Sequence, residues 1–157
     1  MTTRRRARRP LRAILAAAAC LALVTPAAAL DLNAFRREHH LPPLHVSSAM
    51  AGAAYEHAHD LAARQHLDHD GFRSRLSMST TAAENVAMIS CGRPNAKPVP
   101  TFAGRPCGCG SEDCVIRMWA RSPGHRRNML MKGVTHYGLA SARGANGQTY
   151  WVLEMGN

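Results

Sequence analysis

The feature that most constrains the fold is a change of period along the chain. Two short alternating apolar runs, Tyr137 to Ala142 and Gln148 to Met155, close the sequence on either side of Gly144-Ala145-Asn146-Gly147. A period of two around a glycine-rich turn is the signature of a β-hairpin. The long segment near the start has the helical period instead. From Ser47 or Ser48 to about Gln65, the residues Met50, Ala53, Ala54, His57 and Leu61 fall on one stripe among many alanines, which predicts the longest helix and the spine of the core. Helices first and an antiparallel hairpin last, with no strand–helix–strand repeat, predict an α+β layered domain and exclude a doubly wound parallel sheet.

Shorter elements fill in the order. Asp31 caps a first helix to about His40, ended by Pro42 and Pro43. Asp70-Gly71 is a turn, and Phe72 to Leu76 a brief helical turn. Residues 85–89, Asn-Val-Ala-Met-Ile, read as a strand leading into a Pro- and Gly-rich insert at about 90–114 with no periodicity. Glu112 or Asp113 then caps a helix with Val115, Ile116 and Trp119 inward. Ser122-Pro123 restarts a helix that ends near Lys132-Gly133.

Residues 1–29 read as an export signal: six arginines from Arg4 to Arg12, an apolar run from Ala13 to Val24, and Ala27 to Ala29 before cleavage. The run is shorter than the roughly 20 apolar residues of a spanning helix, so the mature form is expected to have no transmembrane span. It continues past Cys20, which favours secretion or periplasmic release over lipidation. The remaining residues, 30–157, are one domain by length. Of the 20 Lys and Arg in the chain, 14 lie beyond the signal against 10 Asp and Glu, a net charge of +4. That charge, without a basic cluster, gives no footing for nucleic acid, and the domain is expected to be a monomer. Its four cysteines, Cys91, Cys107, Cys109 and Cys114, read as two disulfides in an exported protein, with three connectivities open.

Nine histidines are present. His39, His40, His45, His57, His59 and His136 lack a persuasive acidic partner and read as surface or half-buried positions. His66 and His69 are three apart, either a metal pair on one helix face or two polar residues at a helix exit. His125 sits in the first turn after Ser122, where the positive helix end disfavours imidazolium; it is either a neutral ligand or a solvent-facing residue. Glu84, between small and apolar residues at a strand entrance, needs a partner. Grouped, His69, Glu84 and His125 form a ligand set that suits zinc with an open position.

In order, His69-Asp70-Gly71, Glu84-Asn85-Val86, the run from Trp119 through Ser122-Pro123-Gly124-His125-Arg126-Arg127-Asn128, and Tyr150-Trp151-Val152 resemble the bacterial SCP-like branch of the CAP superfamily: the cysteine-rich secretory proteins, antigen 5 and pathogenesis-related proteins. The resemblance implies a three-layer α-β-α sandwich with a small antiparallel sheet. It also implies a central cleft where two histidines and two glutamates bind zinc in some members. His69, His125 and Glu84 match three of these positions. Ser122 stands where the second glutamate is found, Ala83 where a glycine precedes the first, and Leu153 where glutamine is frequent.

These readings make the chain an exported, non-enzymatic binding protein for a lipid, an envelope polymer or a protein ligand. The enzyme alternative is a zinc-assisted, peptidase-like hydrolase with Glu84 as ligand or base. A third reading treats the His/Glu cluster as a hydrogen-bonded core network in a structural envelope protein.

Overall fold

The computed structural model describes residues 30–90, 101–102, 105–106 and 111–157. The proposed signal, Cys91, Cys107, Cys109 and most of the insert lie outside the described residues.

The elements run α1 (Leu32–Glu38), β1 (His45–Val46), α2 (Ser48–Arg64), α3 (Phe72–Arg75), β2 (Ala82–Ser90), β3 (Thr101–Phe102), β4 (Arg105–Pro106), α4 (Glu112–Arg121), α5 (Pro123–Met129), β5 (His136–Arg143) and β6 (Gln148–Gly156). The helix starts follow local capping chemistry. Asp31 accepts from the Ala34 amide at 2.6 Å and Ser47 from the Met50 amide at 3.3 Å, each satisfying a first-turn donor that has no partner within its helix. Gln65 takes a left-handed conformation at the end of α2, and Gly71 supplies the positive φ at the turn before α3.

The main sheet has the order β1-β5-β6-β2. β5 and β6 form the expected antiparallel hairpin, and β2 pairs antiparallel with β6 along its whole length. Two expectations need correction. The sheet is not wholly antiparallel, because the two-residue β1 pairs parallel to β5, His45 opposite His136. The insert also holds structure, a short antiparallel pair of β3 and β4. Boundaries shift too: β2 begins at Ala82 rather than residue 85, Ser111 is the N-cap of α4, and α5 ends at Met129 rather than near Gly133.

Period-two alternation sends the strands' side chains to two different cores. On one face, α2 lays Ala54, Ala58, Leu61 and Ala62 against Val86, Ala142, Tyr150 and Val152. On the other, α1, α4 and α5 bury Leu32, Phe35, Ile116, Trp119 and Met129 against Ala83, Ala87, Leu153 and Met155. These are the three layers α-β-α. Alanine and glycine let α2 come close: a Cβ at Gly138 would lie 2.1 Å from the Ala51 amide nitrogen, so no larger residue fits there without moving the helix. Arg36, 1 % exposed, ties α1 to the end of α5 within the same layer by donating to the carbonyls of Pro42, Met129 and Met131. Among the described residues, no helix is long and apolar enough to cross a membrane.

Candidate functional site

The site is built where β2 meets the end of α2, the α3 turn and α5. Glu84 and Glu154 lie opposite each other on β2 and β6. They are 4 % and 0 % exposed. Both project on the α2 side of the sheet, since Glu84 alternates with Val86, and Glu154 with Val152 and Tyr150. A pair of like charges directly across a sheet is unfavourable, and burial adds the cost of dehydrating them.

Arg75, the last residue of α3, resolves this. Its Nε donates to Glu154 Oε1 at 2.8 Å and its Nη2 donates to Glu84 Oε2, while Nη1 donates to the Asp70 carbonyl. Burial alone would lower the guanidinium pKa, but the hydrogen bonds to Glu154 and Glu84 outweigh it and the pKa is raised. Glu154 is pushed up to about 8, first by burial and then by the neighbouring Glu84 carboxylate, with Arg75 opposing. Near neutral pH Glu154 therefore carries its proton, and the cluster reduces to one carboxylate and one guanidinium.

Two histidines approach Glu84 from the α2 side. His69 Nδ1 lies 2.5 Å from Glu84 Oε1. Its ring is held at the edge of the protein, with 55 % of the side chain exposed against 1 % for the carboxylate. His57, on the buried stripe of α2, has Nε2 3.8 Å from Glu84 Oε2 and 3.2 Å from the Asp68 carbonyl. It is 4 % exposed, so the expectation of a surface or half-buried position is corrected. The loop carrying His69 is fixed from behind. Arg64 donates to Asp68 at 2.7 Å, which holds that carboxyl down at about 2, and the Asp70 amide donates to Asp68 at 3.0 Å.

His125 comes from the other layer. Asn85 Nδ2 donates to the His125 carbonyl, and Asn128 Nδ2 donates to both the Glu84 carbonyl and Asn85 Oδ1, each at 3.0 Å. These bonds press α5 against β2 at the level of Glu84. The His125 imidazole is held below its ordinary pKa, chiefly by burial and then by the nearby His69. Burial, rather than the helix end expected from the sequence, is the dominant cause.

The structure thus brings His69 and Glu84 into direct contact and places His125 close to His69. His66 is exposed on the non-helical stretch past α2 and lies 4.0 Å from Asp68, so the helical His66/His69 pair does not form. Ser122 sits at the junction of α4 and α5, where its side chain caps neither helix. Sequence reasoning missed Glu154, Arg75 and His57. Two of these carried a signal. Glu154 is a lone carboxylate on the inward phase of an apolar strand, and His57 lies on the apolar stripe of α2. Arg75, in a four-residue helix, carried none.

The residues present do not fit the expected zinc set. Both Glu84 oxygens already face nitrogen donors, one of them a permanent cation, and among the described residues no group of three His, Cys, Asp or Glu side chains is disposed to hold a metal ion. A cavity of about 420 Å³ opens elsewhere, at the β5 edge of the sheet, lined by Val46, Glu112, Tyr137, Leu139 and Trp151, and it shares none of the cluster residues.

Comparison with known proteins agrees with this architecture. The chain is similar in structure to an outer surface protein from Borrelia burgdorferi, at TM-score 0.60 and 15 % identity, covering 80 % of this chain and 86 % of that one. It is similar to an extracellular protein containing a SCP domain from Bacillus anthracis, at TM-score 0.57 and 21 % identity, covering 80 % of this chain and 37 % of that one. It is also similar to a cysteine-rich secretory protein from Staphylococcus aureus, at TM-score 0.55 and 18 % identity, covering 80 % and 36 %. No curated protein matches the sequence. The profile of the CAP, or cysteine-rich secretory protein, family matches residues 31–155, nearly all of the chain beyond the proposed signal, and the chain belongs to that family.

Proposed function

We propose that this chain is an exported binding domain that works without catalysis, presenting the His69 and His125 imidazoles above a charge-neutral floor of Glu84, Arg75 and Glu154. The observation that carries the reading is the engagement of Glu84. Oε1 is taken by His69 and Oε2 by Arg75, so this carboxyl group orients an imidazole and is not free to act as a base. The rim offers two imidazole edges, one exposed and one kept neutral by burial, to a lipid, envelope polymer or protein ligand.

Placement outside the cytoplasm is supported by the basic and apolar leader and by the extracellular or outer-surface descriptions of the similar structures. The disulfide reading of the insert is supported by Cys114, which is buried in the first turn of α4.

A second reading, a purely structural cluster, is favoured by the burial of His57, Glu84 and Glu154. The two are separated by following the His69 and His125 ring resonances while isolated envelope polymer, phospholipid vesicles or envelope proteins are added. Binding predicts shifts of both rings with one of these and no substrate turnover. Unmoved rings with all three leave the structural reading. Turnover of a peptide or envelope substrate, abolished by Glu84→Gln, would overturn both.

A further inference from the structure

We infer that Arg75 is the built-in cation of the His/Glu cluster, occupying the role a divalent metal would otherwise take, so that Glu84 is a fixed counter-ion and not a metal ligand. This goes beyond the binding reading and stands separately from it, because it concerns what the floor excludes rather than what the rim binds.

β2 and β6 place Glu84 directly opposite Glu154, so two carboxyl groups converge in a space closed off from water, where a cation is required. A planar guanidinium has several donors in a fixed fork and can serve two carboxyl groups at once. Arg75 does so, through Nε to Glu154 and Nη2 to Glu84, and a third bond from Nη1 to the Asp70 carbonyl fixes its direction. The same loop then brings His69 Nδ1 to the remaining Glu84 oxygen. Each Glu84 oxygen is therefore occupied, and a metal bound there would lie beside a guanidinium that keeps its charge at all accessible pH.

A divalent ion placed there would bring a second cation against carboxyl groups that the guanidinium already bonds through Nε and Nη2. What remains open to a metal is the outer Nε2 edge of His69 together with His125. Two imidazoles are fewer than the three protein ligands of a catalytic zinc site.

The test is a zinc titration of the whole chain, followed by calorimetry and by the imidazole NMR signals. The unaltered protein is expected to bind zinc weakly through its imidazoles, and Glu84→Gln to weaken that binding by about tenfold without abolishing it, since Glu84 orients the His69 ring. The hydrogen-bonded His69 Nδ1 proton signal is expected to survive saturation with zinc. Arg75→Gln is expected to raise zinc affinity by about tenfold or more, a gain absent from the Arg75→Gln, Glu84→Gln double variant and from Arg75→Lys. Tight stoichiometric zinc in the unaltered chain, lost on Glu84→Gln or accompanied by loss of the His69 Nδ1 proton, would overturn the inference. If the Arg75 variants do not fold, the Nδ1 signal of the unaltered protein decides alone. None of these outcomes bears on whether the rim binds an envelope ligand, which turnover and ring-shift experiments decide.

Discussion

The two faces of the sheet solve the same problem with opposite materials. On the α4 side, space is filled by large apolar groups such as Trp119, Ile116, Leu153 and Met155, each fully buried. The indole nitrogen of Trp119 donates to the Val86 carbonyl at 3.3 Å. On the α2 side the core is mostly alanine and valine, and the helix lies almost on the strands. The alanine core gives way to charge where β2 and β6 carry Glu84 and Glu154 and α2 carries His57. The same two strands serve both faces, because alternation gives each its own set of side chains. The large-residue face draws most of its stability from packing, with Arg36 and His125 among its ionisable members. The small-residue face closes over ionisable groups, so its stability depends on charge balance.

Substitutions on each side should break this contrast in different ways. Trp119→Ala removes the largest group of the first face and is expected to cost about 4 kcal/mol in denaturant unfolding, with little change between mildly acidic and mildly basic pH. Arg75→Met should cost about 3 kcal/mol, because it leaves an unpaired carboxylate in the second face. Replacing Glu84 and Glu154 as well, by Leu and Met, is expected to return most of that loss, since a whole buried ion cluster exchanged for apolar groups is close to neutral. A triple variant no more stable than Arg75→Met alone would mean that the face depends on the specific bonds and not on charge balance. Ala54→Leu inserts volume under α2 and is expected to cost about 2 kcal/mol.

The smallest effect, taken per pH unit, is pH dependence. The Glu154 carboxyl is raised in the folded protein to about 8 from an ordinary value of 4.5. The folded state therefore holds more protons, and the stabilisation present below the ordinary value is lost as pH rises toward 8. The slope for one proton is at most about 1.4 kcal/mol per pH unit, and Glu154→Gln should remove it. His125 acts in the opposite direction. Its lowered value means that the unfolded chain takes up the proton more readily, so acidification through the ordinary imidazole range destabilises the fold. Thermal unfolding followed across pH, for the unaltered chain and for Glu154→Gln, checks both signs.

What the sequence revealed follows the same division. The α2 stripe and the closing hairpin were legible because a full helical or strand period repeats several times in each. β1 was not, because it is two exposed residues with no period, and its parallel pairing depends on where β5 happens to pass. Glu84 was legible as a carboxylate in need of a partner, and the structure puts His69 beside it. The true second partner, Arg75, comes from a helical turn with no buried residue and no pattern. Its role arises only once β2 and β6 are paired, so it is a property of the tertiary fold. His125 reaches the same level of the sheet through Asn85 and Asn128, and the sequence motif placed those residues together without revealing their bonds.

The position of Glu84 opposite Glu154 also makes the pairing of β2 hard to mistake. Sliding β2 by one residue along β6 would exchange its faces, turning Glu84 toward Trp119 and Leu153 and putting Asn85 under α2. The first would strand a carboxylate among apolar groups without Arg75, and the second would strip α5 of its anchor. An edge strand rich in alanine has little bulk with which to choose its own alignment. Here the choice is made by a charge that has one acceptable location in the molecule.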